Sequence, residues 1–327
     1  MRAVEITKFG PPGVLRIGTR PVPVPKDDEV LIRVEAIGVC RPDSLQRRGL
    51  HPPPPGTSDV PGLEVAGEVT AAGAKATQWR KGDRVCALLP GGGYAEYAVA
   101  PMQQVLPIPQ NWSAQEAATL PENMFTAWDN LFTRARLAAG QTLLVHGGAS
   151  GLGSTAIMLG CAFGAKVLAT AGSDAKCAAC VKIGAAHAFN YKSGDWGPWV
   201  MEKTGGRGAD VVMDIVGGDY VQRSLEVLAL DGRLVNLATQ GPDKNATINM
   251  STLLRRRATL IGSSLRQRTP DQKGAIAARL LQEVWPKLPA RSSIAPLIDS
   301  VHPLADVVKV HEYFDGGAHI GKIVLIP

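Results

Sequence analysis

The most informative chemistry lies in LLVHGGASGLGSTAIMLG, Leu143 to Gly160, where an apolar run enters a turn holding Gly147, Gly148, Gly151 and Gly153 and continues as a helix. Glycines permit a tight turn and remove side chains where backbone must approach a pyrophosphate, while the free N–H groups and positive dipole end of the helix face the anion. Gly148, Ser150, Gly151, Leu152 and Gly153 are therefore the expected cradle of a dinucleotide. A glycine pattern alone says little; the strand before it, the helix after it and a second strand–helix unit downstream make it specific. The competing use of such a turn is close packing at a helix entry.

The following apolar run ends in Thr170-Ala171-Gly172-Ser173, with Asp174 and Lys176 just beyond. A free ribose 2′-hydroxyl calls for an acid about 20 residues past the glycines, whereas a 2′-phosphate calls for donors and positive charge. Asp174 admits both a ribose contact and a place in the first turn of the helix AKCAACVKIG, where a carboxylate meets free N–H groups. The helix-start use is preferred. Ser173 and Lys176 then meet a phosphate, and Tyr191 in FNYK closes over it.

These residues need elements to hold them. The first third reads as short strands (Ala3 to Thr7, Val14 to Thr19, Glu29 to Val39, Leu63 to Thr70, Asp83 to Leu88, Tyr94 to Ala100) split by Pro, Gly and Asp, which points to a small barrel or sandwich. The proline run after Gly49 is a loop. From Ser113, whose capping box with Glu116 opens a helix, the pattern changes to alternating strand and helix, as in a covered parallel sheet. Two late helices, Lys273 to Trp285 and Leu304 to Phe314, precede a final strand Lys322 to Ile326.

With 327 residues the chain has room for two domains, and 45% hydrophobic against 20% charged residues is a folded, globular composition. The net charge of +6 suits a phosphate-bearing partner and, less well, a nucleic acid. No apolar run reaches the roughly 20 residues that cross a bilayer, so no membrane partner is expected. No secretory start is visible and the five cysteines are scattered, so reduced thiols and a cytoplasmic location are expected.

Several segments together resemble the zinc-free quinone oxidoreductases of the medium-chain dehydrogenase/reductase superfamily, the group that includes zeta-crystallin. They are CRPDSLQRRG at Cys40, PGLEVAG at Pro61, ALLPGGGYAEYAV at Ala87, AATLPENMFTAW at Ala117, VHGGASGLGSTA at Val145, TAGSDAK at Thr170, FNYK at Phe189, LDGRLV at Leu230 and HIGKIVL at His319. The resemblance covers essentially the whole chain. It implies an α/β protein in which a Rossmann doubly wound parallel sheet, residues 121–265, is inserted into a β-rich GroES-like catalytic domain, residues 1–120 and 266–327, with the nicotinamide of NADPH in the cleft between them. It also implies that Ser173, Lys176 and Tyr191 recognise the 2′-phosphate and that Thr126 lies near the nicotinamide. Relatives in the group are often homodimers, and the apolar run Thr259 to Leu265 offers a sheet edge for such pairing. The sequence departs from the group at Cys40 and His51.

Zinc-dependent members of that superfamily carry a Gly-His-Glu motif where this chain reads Gly62-Leu63-Glu64, and Leu63 cannot ligate a metal. Cys177 and Cys180, on one helix without a second pair at zinc spacing, read as small buried thiols. No metal is expected, and the cofactor carries the chemistry. The expected reaction is hydride transfer from NADPH to a quinone or enone lined by Cys40, His51 and Tyr94. Each has a plainer reading: His51 as a loop residue, Tyr94 as a barrel residue, and Asp43 as a cap for the helix SLQRR. Two alternatives stay open: an enoyl or 2-alkenal reductase, which needs a proton donor near the α carbon, and a non-enzymatic RNA-binding or structural role. Only net charge and Arg255, Arg256 and Arg257 favour RNA, and such a run is more often a solvated face.

Overall fold

A computed structural model describes residues 1–239, 244–289 and 294–327. The chain forms two compact units. One holds Met1–Phe125, the stretch beginning at Leu265, and Pro296–Pro327; the other holds Thr126–Ser264.

In the first unit a seven-stranded sheet runs in the order Ile298–Pro303, Lys322–Ile326, Glu29–Gly38, Glu64–Ala72, Arg84–Leu88, Val105–Pro107, with Tyr97–Pro101 also on Glu29–Gly38. Its pairs are antiparallel except the first, which joins two C-terminal strands side by side in parallel. Val30, Ile32 and Val34 alternate inward along Glu29–Gly38 and meet Val65, Val85 and Leu325 in one core, closed by Val310 and Phe314 of the helix Val307–Gly316. This is the β-rich GroES-like part. It uses the C-terminal strand as a structural member and so fixes where Lys322 points.

The second unit is a six-stranded parallel sheet ordered His187–Asn190, Lys166–Ala171, Thr142–His146, Ala209–Asp214, Leu228–Asn236, Thr259–Gly262. Numbered along the chain, that order is the doubly wound Rossmann sequence, whose ligand crevice lies where the strand order reverses. Here the reversal falls between Thr142–His146 and Ala209–Asp214, and the glycine turn follows the first of these directly. Both central strands are buried at every position, as a sheet covered on both faces requires.

The structure differs from the sequence reading in several places. The strand expected from Tyr94 starts only at Tyr97, because Gly91 and Gly92 hold φ of +152° and +90° and turn the chain first. The edge strand expected to reach Leu265 stops at Gly262. Cys180 is buried, but Cys177 on the same helix is half-exposed. The helices Trp196–Lys203 and Met250–Arg256 and the strand Ile298–Pro303 were not expected. Among the described residues no helix is long and apolar enough to cross a membrane.

Candidate functional site

The strand Thr142–His146 ends in Gly147, whose φ of +72° is the left-handed turn that glycine adopts without strain. A Cβ on Gly153 would lie 2.2 Å from the Gly147 carbonyl oxygen, so any side chain there forces the turn open. Ser150 caps the helix Gly151–Ala162: its Oγ accepts from the Gly153 N–H at 3.0 Å and donates to the Gly147 carbonyl at 2.8 Å. The first N–H groups of a helix have no partner inside it. Those of Gly151 and Leu152 stay at the half-buried helix start, with no acid in the first turn to compete for them.

Ser173, Lys176 and Tyr191 gather at the end of the neighbouring strand Lys166–Ala171. Ser173 is the cap of the helix Asp174–Lys182, its Oγ accepting from the Lys176 N–H at 3.3 Å. Asp174 lies in the first turn of that helix, as expected, directly after the Ser173 cap, and its carboxylate also accepts from Asn190 Nδ2 at 2.9 Å. The Tyr191 phenol lies against Gly172, where an added Cβ would meet its oxygen at 2.6 Å, and the ring is 41% exposed. Thr126 is buried and its Oγ1 has no hydrogen-bond partner. A buried hydroxyl left open and the bare helix-start amides fit a dinucleotide. Beneath them His146 is fully buried between Thr170 Oγ1 at 2.9 Å and Ser224 Oγ at 3.2 Å, and burial lowers its pKa to about 3.

In the first unit, Asp43 connects two of the three residues expected at the acceptor. Its carboxylate accepts from the Cys40 N–H at 2.8 Å and the Gly62 N–H at 3.2 Å, and lies 3.2 Å from the Tyr94 hydroxyl. The helix cap read for Asp43 is present, and burial raises its pKa to about 6. Tyr94 is fully buried and its oxygen also lies 3.2 Å from His311 Nε2. The phenol is committed to an internal network, and burial pushes its pKa up. His51 alone of the three is half-exposed, with burial and then the charge of Arg266 lowering its pKa to about 4.

Sequence reasoning missed the cluster around Cys40. Lys322 and Glu64 form a buried ion pair at 2.5 Å, with side-chain exposures of 6% and 0%. The ammonium also donates to Cys40 Sγ at 3.2 Å and the Val39 carbonyl at 2.8 Å, while Cys40 Sγ lies 3.3 Å from Glu64 Oε1. Glu64 Oε2 accepts the Glu122 N–H at 2.8 Å. Burial raises the Cys40 thiol, and Glu64 adds to this, so it stays protonated; Lys322 is lowered by burial, but the neighbouring negative charge, with Glu64 in contact, outweighs that and raises it. The signal was present in KIVLI, a charged residue opening an otherwise apolar strand. Among the described residues, no three His, Cys, Asp or Glu side chains are grouped to hold a metal ion.

Residues 26–110 match the family described as alcohol dehydrogenase GroES-like domain, and residues 151–282 the one described as zinc-binding dehydrogenase. The chain is 32% identical over 334 residues to the quinone oxidoreductase of Mus musculus, covering 100% of this chain and 98% of that one. A mycobacterial protein solved in complex with NADPH superposes with a TM-score of 0.87 at 30% identity, over 100% of both chains. The CurK enoyl reductase superposes at 0.86 and 26% identity, over 99% of this chain and 98% of that one. The chain belongs to the zeta-crystallin-like quinone oxidoreductases of the medium-chain dehydrogenase/reductase superfamily.

Proposed function

We propose that the protein is an NADPH-dependent reductase of quinones and related conjugated carbonyl compounds that works without a metal. The observation that carries this reading is the pairing of bare amides at Gly151 and Leu152 with Ser173, Lys176 and Tyr191 on the adjacent strand end. The first pair suits a pyrophosphate, and the second group offers a hydroxyl, an ammonium and a phenol to a 2′-phosphate. Thr126 offers its unpartnered Oγ1 to the nicotinamide end. When bound, the cofactor supplies the hydride; the chain's part is to bind and orient.

Three features support a metal-free quinone reductase over the alternatives. Leu63 stands where a ligating histidine would be needed, and the Lys322 ammonium already engages both Cys40 Sγ and Glu64 Oε1. His51 is neutral at pH 7 and Tyr94 is enclosed, so neither is poised as the proton donor that reduction of a C=C bond requires. A reduced quinone takes its protons from water. Arg256 and Arg257 are engaged with the Glu226 carbonyl and with Asp231, which reduces the case for an RNA surface. The resemblance to an enoyl reductase structure keeps that reading as the rival. Steady-state turnover of 1,2-naphthoquinone against an enoyl thioester, each with NADPH, separates them: the quinone is expected to be preferred, and a clear preference for the thioester overturns the proposal. The same reading expects two copies to pair along the outer strand Thr259–Gly262, and a monomer mass in light scattering refutes that part.

A further inference from the structure

A second concentration of charge in the first unit has no paired carboxylate among the described residues. Arg266 is half-buried, and its Nε and Nη1 are buried without a hydrogen-bond partner. Among the described residues only Nη2 finds an acceptor, the Gln46 Oε1 at 3.3 Å. Gln46 is itself buried and pinned by its Nε2–H to the Asp59 carbonyl at 3.0 Å, so that acceptor is held in place. Lys273 opens inward from the helix Pro270–Glu283, is 7% exposed, and among the described residues its ammonium reaches only the Arg266 carbonyl at 3.5 Å. Among the described residues neither cation makes an ion pair with a carboxylate. The acid whose charge Arg266 feels is Asp43, whose carboxylate is already engaged by Cys40, Gly62 and Tyr94. The charge of Arg266 also bears on both His51 and Lys273, holding the pKa of each down after burial, to about 4 and about 8.

Buried cations with unmet donors are costly, and most proteins pair them. Here two cations from two segments, the stretch at Arg266 and the helix at Lys273, lie together with the neutral His51 near Arg266 and, among the described residues, no carboxylate paired to either.

We propose that Arg266, supported by Lys273 and with His51 beside it, is an anion-binding site that favours acceptors carrying a negatively charged substituent such as a sulfonate, carboxylate or phosphate. This goes beyond the reductase reading and rests on it for the identity of the ligand as an acceptor. Arg266 supplies the donors, because its guanidinium presents several N–H groups in a fixed plane that matches such oxygens. Gln46 orients it, and Lys273 adds positive potential from behind.

The test compares 1,2-naphthoquinone with 1,2-naphthoquinone-4-sulfonate, at saturating NADPH, for the full chain and for Arg266→Met and Lys273→Met. For Arg266→Met, kcat/KM for the sulfonate is expected to fall about 10- to 100-fold, mostly through KM, as loss of a charge-assisted contact predicts. The neutral quinone and the KM for NADPH are expected to stay within about threefold, and Lys273→Met to shift the sulfonate in the same direction by less. Equal losses for both quinones, no loss for either, or a rise in the NADPH KM alone overturns the proposal. So does inorganic phosphate that competes with NADPH and not with the sulfonate, which would put the anion on the cofactor. If the unaltered protein turned over neither quinone, the reductase reading would fail. Calorimetry with 2-naphthalenesulfonate and 2-naphthol then decides the anion site alone: sulfonate binding weakened by Arg266→Met supports it, and equal binding to both proteins overturns it.

Discussion

Replacing Lys322 by Met removes the cation from the most deeply buried charge cluster of the first unit and leaves Glu64 to bear the consequence. The Glu64 side chain is fully buried, and without the ammonium 2.5 Å away its Oε1 keeps only the weak contact to Cys40 Sγ at 3.3 Å. Oε2 keeps the Glu122 N–H, so the carboxylate is partly but not adequately satisfied. Removing one partner of a buried ion pair costs about 3–5 kcal/mol, since an uncompensated charge remains. For a unit of this size each kcal/mol moves the melting temperature by roughly 2–4 °C, so a fall of about 6–20 °C is expected. Scanning calorimetry of the full chain reads this, with Glu64→Gln/Lys322→Met as the partner measurement. Because the two side chains touch, the double variant should lose less than the sum of the single ones. A shift below about 2 °C for Lys322→Met, or strict additivity in the double variant, refutes the view that the pair is a coupled unit.

Other outcomes follow from the same geometry. Gly153→Ala sets a Cβ against the Gly147 carbonyl and Gly148 Cα at 2.2 and 2.8 Å; overpacking of this kind costs about 1–3 kcal/mol, and calorimetry should show at least tenfold weaker NADPH binding. Tyr94→Phe removes a hydroxyl shared by Asp43 and His311, so it should destabilise by about 1–3 kcal/mol in chemical denaturation while kcat stays within about threefold; a collapse of kcat at unchanged stability would make Tyr94 a proton donor after all. His146 has a folded pKa of about 3, below the ordinary histidine value of 6.5, so its contribution is complete above pH 6.5 and is lost as pH falls toward 3. The stability difference between the natural chain and His146→Gln should therefore shrink by about 1.4 kcal/mol per pH unit between about pH 6 and 4. Asp43, raised to about 6, works in the opposite sense but is present in both proteins and cancels; a flat difference contradicts a buried, neutral His146.

Local signals carried much of this fold into the sequence. The glycine turn was legible because Gly147, Ser150 and Gly153 lie within seven residues and must satisfy one another, and the Ser113–Glu116 capping box was legible for the same reason. The central strands stood out because both of their faces are apolar. What escaped was short or non-local. The helix Trp196–Lys203 has eight residues, a glycine second and a proline third, and its Asp195 cap was a weak cue beside those. The strand Ile298–Pro303 is polar and partly exposed, and it is a strand only because it lies beside Lys322–Ile326. Cys40, His51 and Tyr94 were chosen by type and position, yet what each does depends on Asp43, Arg266 and Lys322. The last lies 282 residues from Cys40, at a separation no spacing rule spans.

The account stands or falls on the 2′-phosphate contact. Isothermal calorimetry of NADPH and NADH with the unaltered chain and with Lys176→Ala measures it directly. The expected result is that NADPH affinity falls about 10- to 150-fold, the equivalent of about 1.5–3 kcal/mol for a charge-assisted hydrogen bond, while NADH affinity is unchanged. Equal weakening of both nucleotides, or no binding of either to the unaltered chain, contradicts it.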